Sequence, residues 1–305
     1  MTTKQYVLLM LVLFGVVGWS GCAGAPASPG GDGRLNVIAT TTIVGDVVKQ
    51  VGGDAIALTV LLPVGADPHA FDPSPQDMAK ITTADVIFAN GAGLEAFLDP
   101  LLENAGDDAE VIDLSEGLDV HLYGGDHDHA DMDPHTWTDP NNVVQWVDVI
   151  EGVLTRHNRG NTATFKVNAD AYRTQLRDLD AWIRAQVVTI PAGNRKLVTD
   201  HATFAYFAER YGFEQVGAVV PGYSTASQPS AQALADLEDN IRAYDVKAVF
   251  VGKTVNPDLA KRVAEDTGVK LVYLYTGSLT EPGGEADSYL SYVRYNVAAI
   301  VEGLK

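Results

Sequence analysis

Seven histidines occur in this 305-residue chain, and two of them sit in the same frame. "ADPHAFDPSP" covers residues 66–75 and "MDPHTWTDP" covers residues 132–140. Each reads Asp-Pro-His, one further residue, an aromatic, and a proline shortly after. A third histidine, His201, lies in "TDHATF", and Asp287 lies in "EADSYLSYVRYN". His69, His135, His201 and Asp287 are 66, 66 and 86 residues apart. Those separations are far too long for a local metal motif, so only a folded cleft could bring the four together.

The repeated frame has a physical logic. Proline fixes φ and pushes its predecessor toward extended geometry, which stiffens the approach to each histidine. The aromatic two residues on, Phe71 or Trp137, can pack into the lobe and hold the loop down. The next helix-opening proline, Pro75 or Pro140, ends the loop. The partial positive charge of a helix N-terminus favours neutral imidazole, the form that binds metal. The frame reads as a device for holding two imidazoles in place.

The elements that would position these residues alternate. Strands are expected at "RLNVIATTT", "ALTVLLP", "DVIFANG" and "VIDLS", with helices near 43–51, 75–83 and 94–104. Residues 116–138 read as a long polar loop, and Asp139-Pro140 opens a helix. Ser74-Pro75, Asn256-Pro257 and, more weakly, Gln228-Pro229 use the same device. From about Thr162 to Val188 one apolar stripe steps by three or four, through Phe165, Ala169, Tyr172, Leu176, Leu179, Ile183 and Val187. The second half repeats the alternation. Strands are expected at 196–199, 213–220, 247–252 and 270–275, and helices near 202–211, 229–243, 257–267 and 286–304. The predicted fold is α/β: two lobes, each a mostly parallel sheet flanked by helices, joined by one long rigid helix. The expected division is an N-terminal lobe over 34–160, the linking helix over 161–190 and a C-terminal lobe over 191–305. Ligands of open α/β sheets sit beyond the carboxyl ends of the strands, which makes the cleft between the lobes the expected site.

A formal net charge of −19 argues against nucleic acid as a partner. Residues 1–21 read as a secretory signal: Lys4, the apolar run "YVLLMLVLFGVVGW", then small residues. Cys22 is the sole cysteine, which excludes a disulfide framework within the chain. Its setting after Ser20-Gly21 resembles a bacterial lipobox, with Trp19 in place of the usual leucine, and that resemblance implies a lipid on its sulfur. Residues 23–33, small and proline-rich, complete a tether. These features place the chain on the outer face of a membrane.

"DPHAFDPSPQD", "DMDPHTWTDPNN", "TDHATFAYFAERYGF" and "GGEADSYLSYVRYN" occur in that order and resemble the motifs of the metal-binding ABC-transporter receptor lipoproteins of cluster A-I, the zinc and manganese receptors. The resemblance spans about residues 34–305. It implies two α/β lobes bridged by a rigid helix, a monomer, and a partner permease with a cytoplasmic ATPase. It also implies metal ligation by His69, His135, His201 and Asp287. Histidine at the third position goes with zinc receptors and glutamate with manganese receptors. Nitrogen-rich ligation suits Zn²⁺, so Zn²⁺ is the expected cargo, with Mn²⁺ or Fe²⁺ as the alternative. "HLYGGDHDHADMDPH" resembles a short form of the histidine-rich loop of zinc receptors, and makes His121, His127 and His129 candidates for collecting metal. Gln228 and Gly252-Lys253 depart from the family's usual acidic residues. No enzymatic role is expected: H-E-x-x-H is absent, and no glutamate stands in helical register beside a proposed ligand. An adhesion or interaction lipoprotein stabilised by metal is the remaining reading.

Overall fold

Strand β1 (Leu35–Ala39) pairs in parallel with β2 (Ile56–Val60) on one side and β3 (Val86–Ala89) on the other. β4 (Glu110–Asp113) adds to β3, giving the all-parallel order β2-β1-β3-β4. The structure, a computed structural model, describes residues 33–98, 102, 109–123 and 131–305. The expected signal, Cys22, nearly all of the tether, His127 and His129 lie outside them. Much of the helix expected near 94–104 also lies outside, and residues 92–97 form turns.

A second parallel sheet has the order β10-β9-β7-β8, from β7 (Lys196–Thr199), β8 (Glu214–Ala218), β9 (Ala248–Gly252) and β10 (Lys270–Leu274). Parallel strands need crossovers, and helices supply them. Eight α-helices lie among the described residues: α1 (Thr42–Gly52), α2 (Pro75–Ile81), α3 (Pro140–His157), α4 (Thr162–Val187), α5 (Ala205–Tyr211), α6 (Ala231–Ala243), α7 (Asp258–Thr267) and α8 (Tyr289–Leu304).

α4 is the 26-residue linking helix, roughly 40 Å long at 1.5 Å per residue. All seven residues of its predicted stripe are buried. They pack against α1 and α3 on one side and α8 on the other. Each of the larger aliphatic and phenyl side chains among them contributes roughly 1.5–3 kcal/mol on burial.

Two local details differ from expectation. Residues 116–138 hold a short antiparallel ribbon of β5 (Leu122–Tyr123) and β6 (Asp131–Met132). Pro75 and Pro140 open their helices as expected, with Ser74 and Asp139 as caps. Pro229 and Pro257 stand just outside theirs. Ser230 caps α6 by accepting from Ala233 N–H, and Asn256 Oδ1 accepts from Asp258 N–H at 2.9 Å. At α6 a hydroxyl nearer the first turn took the capping role, whereas α7 starts after Pro257 with no side-chain cap.

Candidate metal centre

The carboxyl ends of both sheets meet at one point. The loop after β2 carries His69, the 3-10 turn Thr136–Thr138 follows His135, and His201 lies two residues beyond β7. Ring centroids are 5.2, 5.3 and 5.0 Å apart for the pairs His69–His135, His69–His201 and His135–His201. His135 Nε2 lies 3.1 Å from His69 Nε2 and 3.1 Å from His201 Nε2. Tetrahedral zinc with Zn–N near 2.05 Å would set nitrogens about 3.3 Å apart. Among the described residues this trio is the one group of three or more His, Cys, Asp or Glu with ligand atoms all within 4.8 Å.

What aims the nitrogens is a pair of aspartates that the sequence reading passed over. Asp133 Oδ1 accepts from His135 Nδ1 at 2.7 Å, and Asp200 Oδ1 lies 3.1 Å from His201 Nδ1. A carboxylate on Nδ1 fixes the tautomer and leaves the Nε2 lone pair for a cation. Lone pairs facing each other at this range repel, so the arrangement favours a positive charge between them. Thr203 Oγ1, 2.8 Å from His201 Nε2, can donate to that nitrogen.

The same aspartates shape the backbone. Asp67 Oδ1 accepts from His69 N–H and Asp133 Oδ1 from His135 N–H, each at 3.0 Å. The first residue of Asp-Pro-His therefore closes an Asx turn over the proline. In "TDH", Asp200 Oδ2 also accepts from Gly252 N–H at 3.0 Å. A Cβ on Gly252 would fall 2.2 Å from Thr276 Oγ1, so close packing at this point demands glycine. The signal was available: an aspartate stands one or two residues before each of the three histidines.

Burial keeps His69 and His135 neutral. Desolvation, then the charge of His201, pulls His69 down to about 4. Desolvation, then the charges of His201 and His69, holds His135 well below its ordinary value. Burial pushes the Asp133 carboxyl up to about 8.

Asp287 does not join the three histidines. It is exposed, and its carboxylate accepts from Gly283 N–H at 2.9 Å and Ser291 Oγ at 3.2 Å. It serves the loop leading into α8, whose N-terminus is closed by a Ser288–Ser291 capping box. His121 is also elsewhere. It stacks on Tyr206 at 4.1 Å and pairs with Glu209 at 2.6 Å, in a cavity of about 310 Å³ also lined by Arg184 and Arg210.

Asp67 is engaged by Thr225 Oγ1 at 2.6 Å, and Asp133 and Asp200 hold their histidines through Oδ1, while the buried Oδ2 of Asp133 has no hydrogen-bond partner. The arrangement can take one cation. The chain is a metal-binding protein on a two-lobed α/β frame.

Known proteins narrow the class. Residues 37–303 match the family model "Zinc-uptake complex component A periplasmic", and the chain belongs to this family of metal-binding receptors of ABC transporters. The family is a substrate-binding component rather than a catalytic one. The chain is 32% identical over 302 residues to the manganese-binding lipoprotein MntA of Halalkalibacterium halodurans, covering 98% of this chain and 97% of that one. Its fold matches the periplasmic zinc-binding protein TroA of Treponema pallidum with a TM-score of 0.82 at 27% identity, over 89% of this chain and 99% of that chain. A manganese-bound periplasmic protein from Candidatus Liberibacter asiaticus matches with a TM-score of 0.80 at 25% identity, over 89% of this chain and all of the other.

Proposed function

We propose that this receptor captures Zn²⁺ at His69, His135 and His201 and delivers it to a membrane permease driven by a cytoplasmic ATPase. The supporting observation is the convergence of the three histidines, with His135 Nε2 3.1 Å from each of the other two Nε2 atoms and two of the three backed by an aspartate on Nδ1. Nitrogen donors suit Zn²⁺, whereas Mn²⁺ leans toward oxygen. Asp133 and Asp200 hold the imidazoles in the ligating tautomer and balance the cation's charge at one remove. Cys22, lipid-modified after removal of residues 1–21, would anchor the receptor as a monomer at the outer membrane face.

A second reading, Mn²⁺ as cargo, is favoured by the name of the MntA relative. Affinity alone cannot separate the two, because Zn²⁺ outcompetes Mn²⁺ at most nitrogen sites. The discriminating experiment starves a deletion strain of metal and measures uptake of each ion. Loss of Zn²⁺ uptake, restored by the intact gene and not by a His69→Ala, His201→Ala copy, is the expected result. Loss of Mn²⁺ uptake alone would establish the second reading.

A further inference from the structure

We propose that a cavity at the amino end of the first sheet seats the headgroup of an anionic phospholipid, so that the β2 edge of the receptor rests on the bilayer. This rests on the reading of Cys22 as the lipid anchor.

The cavity measures about 430 Å³ and opens beside β2, the outermost strand of its sheet. Three cations line it: Arg34 just before β1, Lys49 in the last turn of α1 and Lys80 in the last turn of α2. No Asp or Glu lines it. That reverses the balance of a chain with 40 acidic and 21 basic residues. Lys49 and Lys80 pair with Asp54 and Asp77, at 2.9 and 2.7 Å. The two lysine side chains are 52% and 42% exposed, and pairs so exposed are weak enough to exchange for a phosphate. Arg34 Nη1 donates to Ile56 O at 3.3 Å, which holds the guanidinium at the strand ends. Its planar fork suits a phosphate. Ile56, Leu58 and Ala84 add apolar wall beside the cations. Charge and apolar surface together match an amphiphile with an anionic head better than a bare anion.

Connectivity agrees with charge. Arg34 is also where the chain enters the fold, and eleven residues, 23–33, separate it from Cys22. A chain of that length spans at most roughly 40 Å, so an anchored receptor keeps this cavity within that distance of the headgroups. The three histidines lie beyond the carboxyl ends of the strands, past the other end of β1. A receptor resting on its amino-end cations therefore holds the metal site turned away from the bilayer, and must lift off to present it to a permease.

The test reconstitutes the full chain on phosphatidylcholine vesicles with or without phosphatidylglycerol, acylates exposed lysines and locates the label by mass spectrometry. Each cation near an anionic surface gains about fivefold in binding. Labelling of Lys49 and Lys80 is expected to fall at least that much with phosphatidylglycerol, while Lys261 on α7 keeps its label. Protection should vanish in 1 M salt, where screening acts within about 3 Å. Arg34→Gln, checked to melt like the parent, removes the third cation without touching a labelled lysine and should restore much of the labelling. Equal labelling on both kinds of vesicle overturns the proposal, and so does equal protection of Lys261. Equal protection by glycerol phosphate on phosphatidylcholine vesicles assigns the cavity to a soluble anion and overturns the membrane contact. The anchor reading fails separately, as a chain that does not float with phosphatidylcholine vesicles; flotation and lysine protection with phosphatidylglycerol then still decide the cavity. A chain that floats with neither overturns both.

Discussion

Asp133 has no exposed surface, whereas its counterpart Asp67 is half-buried and reaches across to Thr225 after β8. The surroundings of the two Asp-Pro-His turns differ in the same sense. Each backbone carbonyl from Asp133 to Trp137 accepts from a side chain: Tyr206 Oη, Asn90 Nδ2, Thr138 Oγ1, Asn142 Nδ2 and Tyr289 Oη in turn. Trp137 Nε1 donates to Tyr292 Oη at 3.1 Å, so this turn is tied to α8 as well as to its own lobe. Around His69 the aromatic Phe71 packs on Phe97, and the nearby backbone tie is Gly65 N–H to Ser278 Oγ. A duplicated sequence frame has yielded one turn fixed on all sides and one held at a few points. In the proposed site the fixed copy would set where the cation goes, and the looser copy would complete it.

The largest expected effect is at His135, whose nitrogen touches both others. His135→Ala should weaken metal binding by roughly 10²–10³-fold, one ligand's share of a typical zinc-site free energy, in a competition titration. It should also lower the melting temperature of the metal-free protein, because Asp133 loses a buried partner. His69→Ala should lose comparable affinity with little change in melting. Equal melting losses would erase the distinction between the copies.

Next comes Asp133→Ala. Loss of the carboxylate on a ligand's far nitrogen costs about 10–100-fold in affinity. It also leaves His135 N–H and Nδ1–H without an acceptor, at about 1–3 kcal/mol each. Asp67→Ala should cost less on both measures; if it costs as much, the comparison is wrong.

The pattern of legibility follows the same physics. His69, His135 and His201 were readable because proline, aspartate and strand ends are local signals. Asp287 was expected on the family resemblance alone, and here it stands in the loop that starts α8. Its carboxylate satisfies orphan N–H and hydroxyl donors beside it, and no spacing rule reveals whether a loop of that length reaches the cleft. The role of Trp137 was half legible: its packing was foreseen, but its bond to Tyr292 depends on two elements 155 residues apart. Gly252 looked like a departure of composition, and the approach of Thr276 explains it.

The third prediction concerns pH in the metal-free protein. An unfolded histidine takes its proton near pH 6.5, while folded His69 resists until about 4 and His135 is also held low. The unfolded state thus binds more protons, and stability falls as pH drops from about 6.5 toward 4. Asp133, raised to about 8, acts in reverse: the folded state keeps its proton, and stability falls as pH rises from about 4 to 8. Two histidines outweigh the carboxyl of Asp133 on the acid side, and above it only burial-raised carboxyls act, Asp133 with Glu95 and Asp46 in the same sense. Melting temperature should therefore peak at about pH 6.5. Asp133→Asn should reduce the alkaline decline and keep the acid one; a flat or monotonic parent profile would contradict this assignment.

The smallest effect expected is from Thr225→Val, which removes the 2.6 Å bond to Asp67. A loss of about 1 kcal/mol, with metal affinity little changed, is expected from thermal melts and titration. A large affinity loss would mean that the His69 turn depends on this bond for its position.

The stripe along α4 has a consequence for how the molecule comes apart. A single apolar cluster runs from Val37 and Phe88 in the first sheet, through Leu176 and Leu179, to Phe250 and Leu274 in the second. The helix is a shared interior wall, so neither sheet can shed it without exposing the other. A calorimeter should record one melting event rather than two, and a fragment carrying only one sheet would display that wall to solvent and aggregate. The receptor is two-lobed in outline and indivisible in folding.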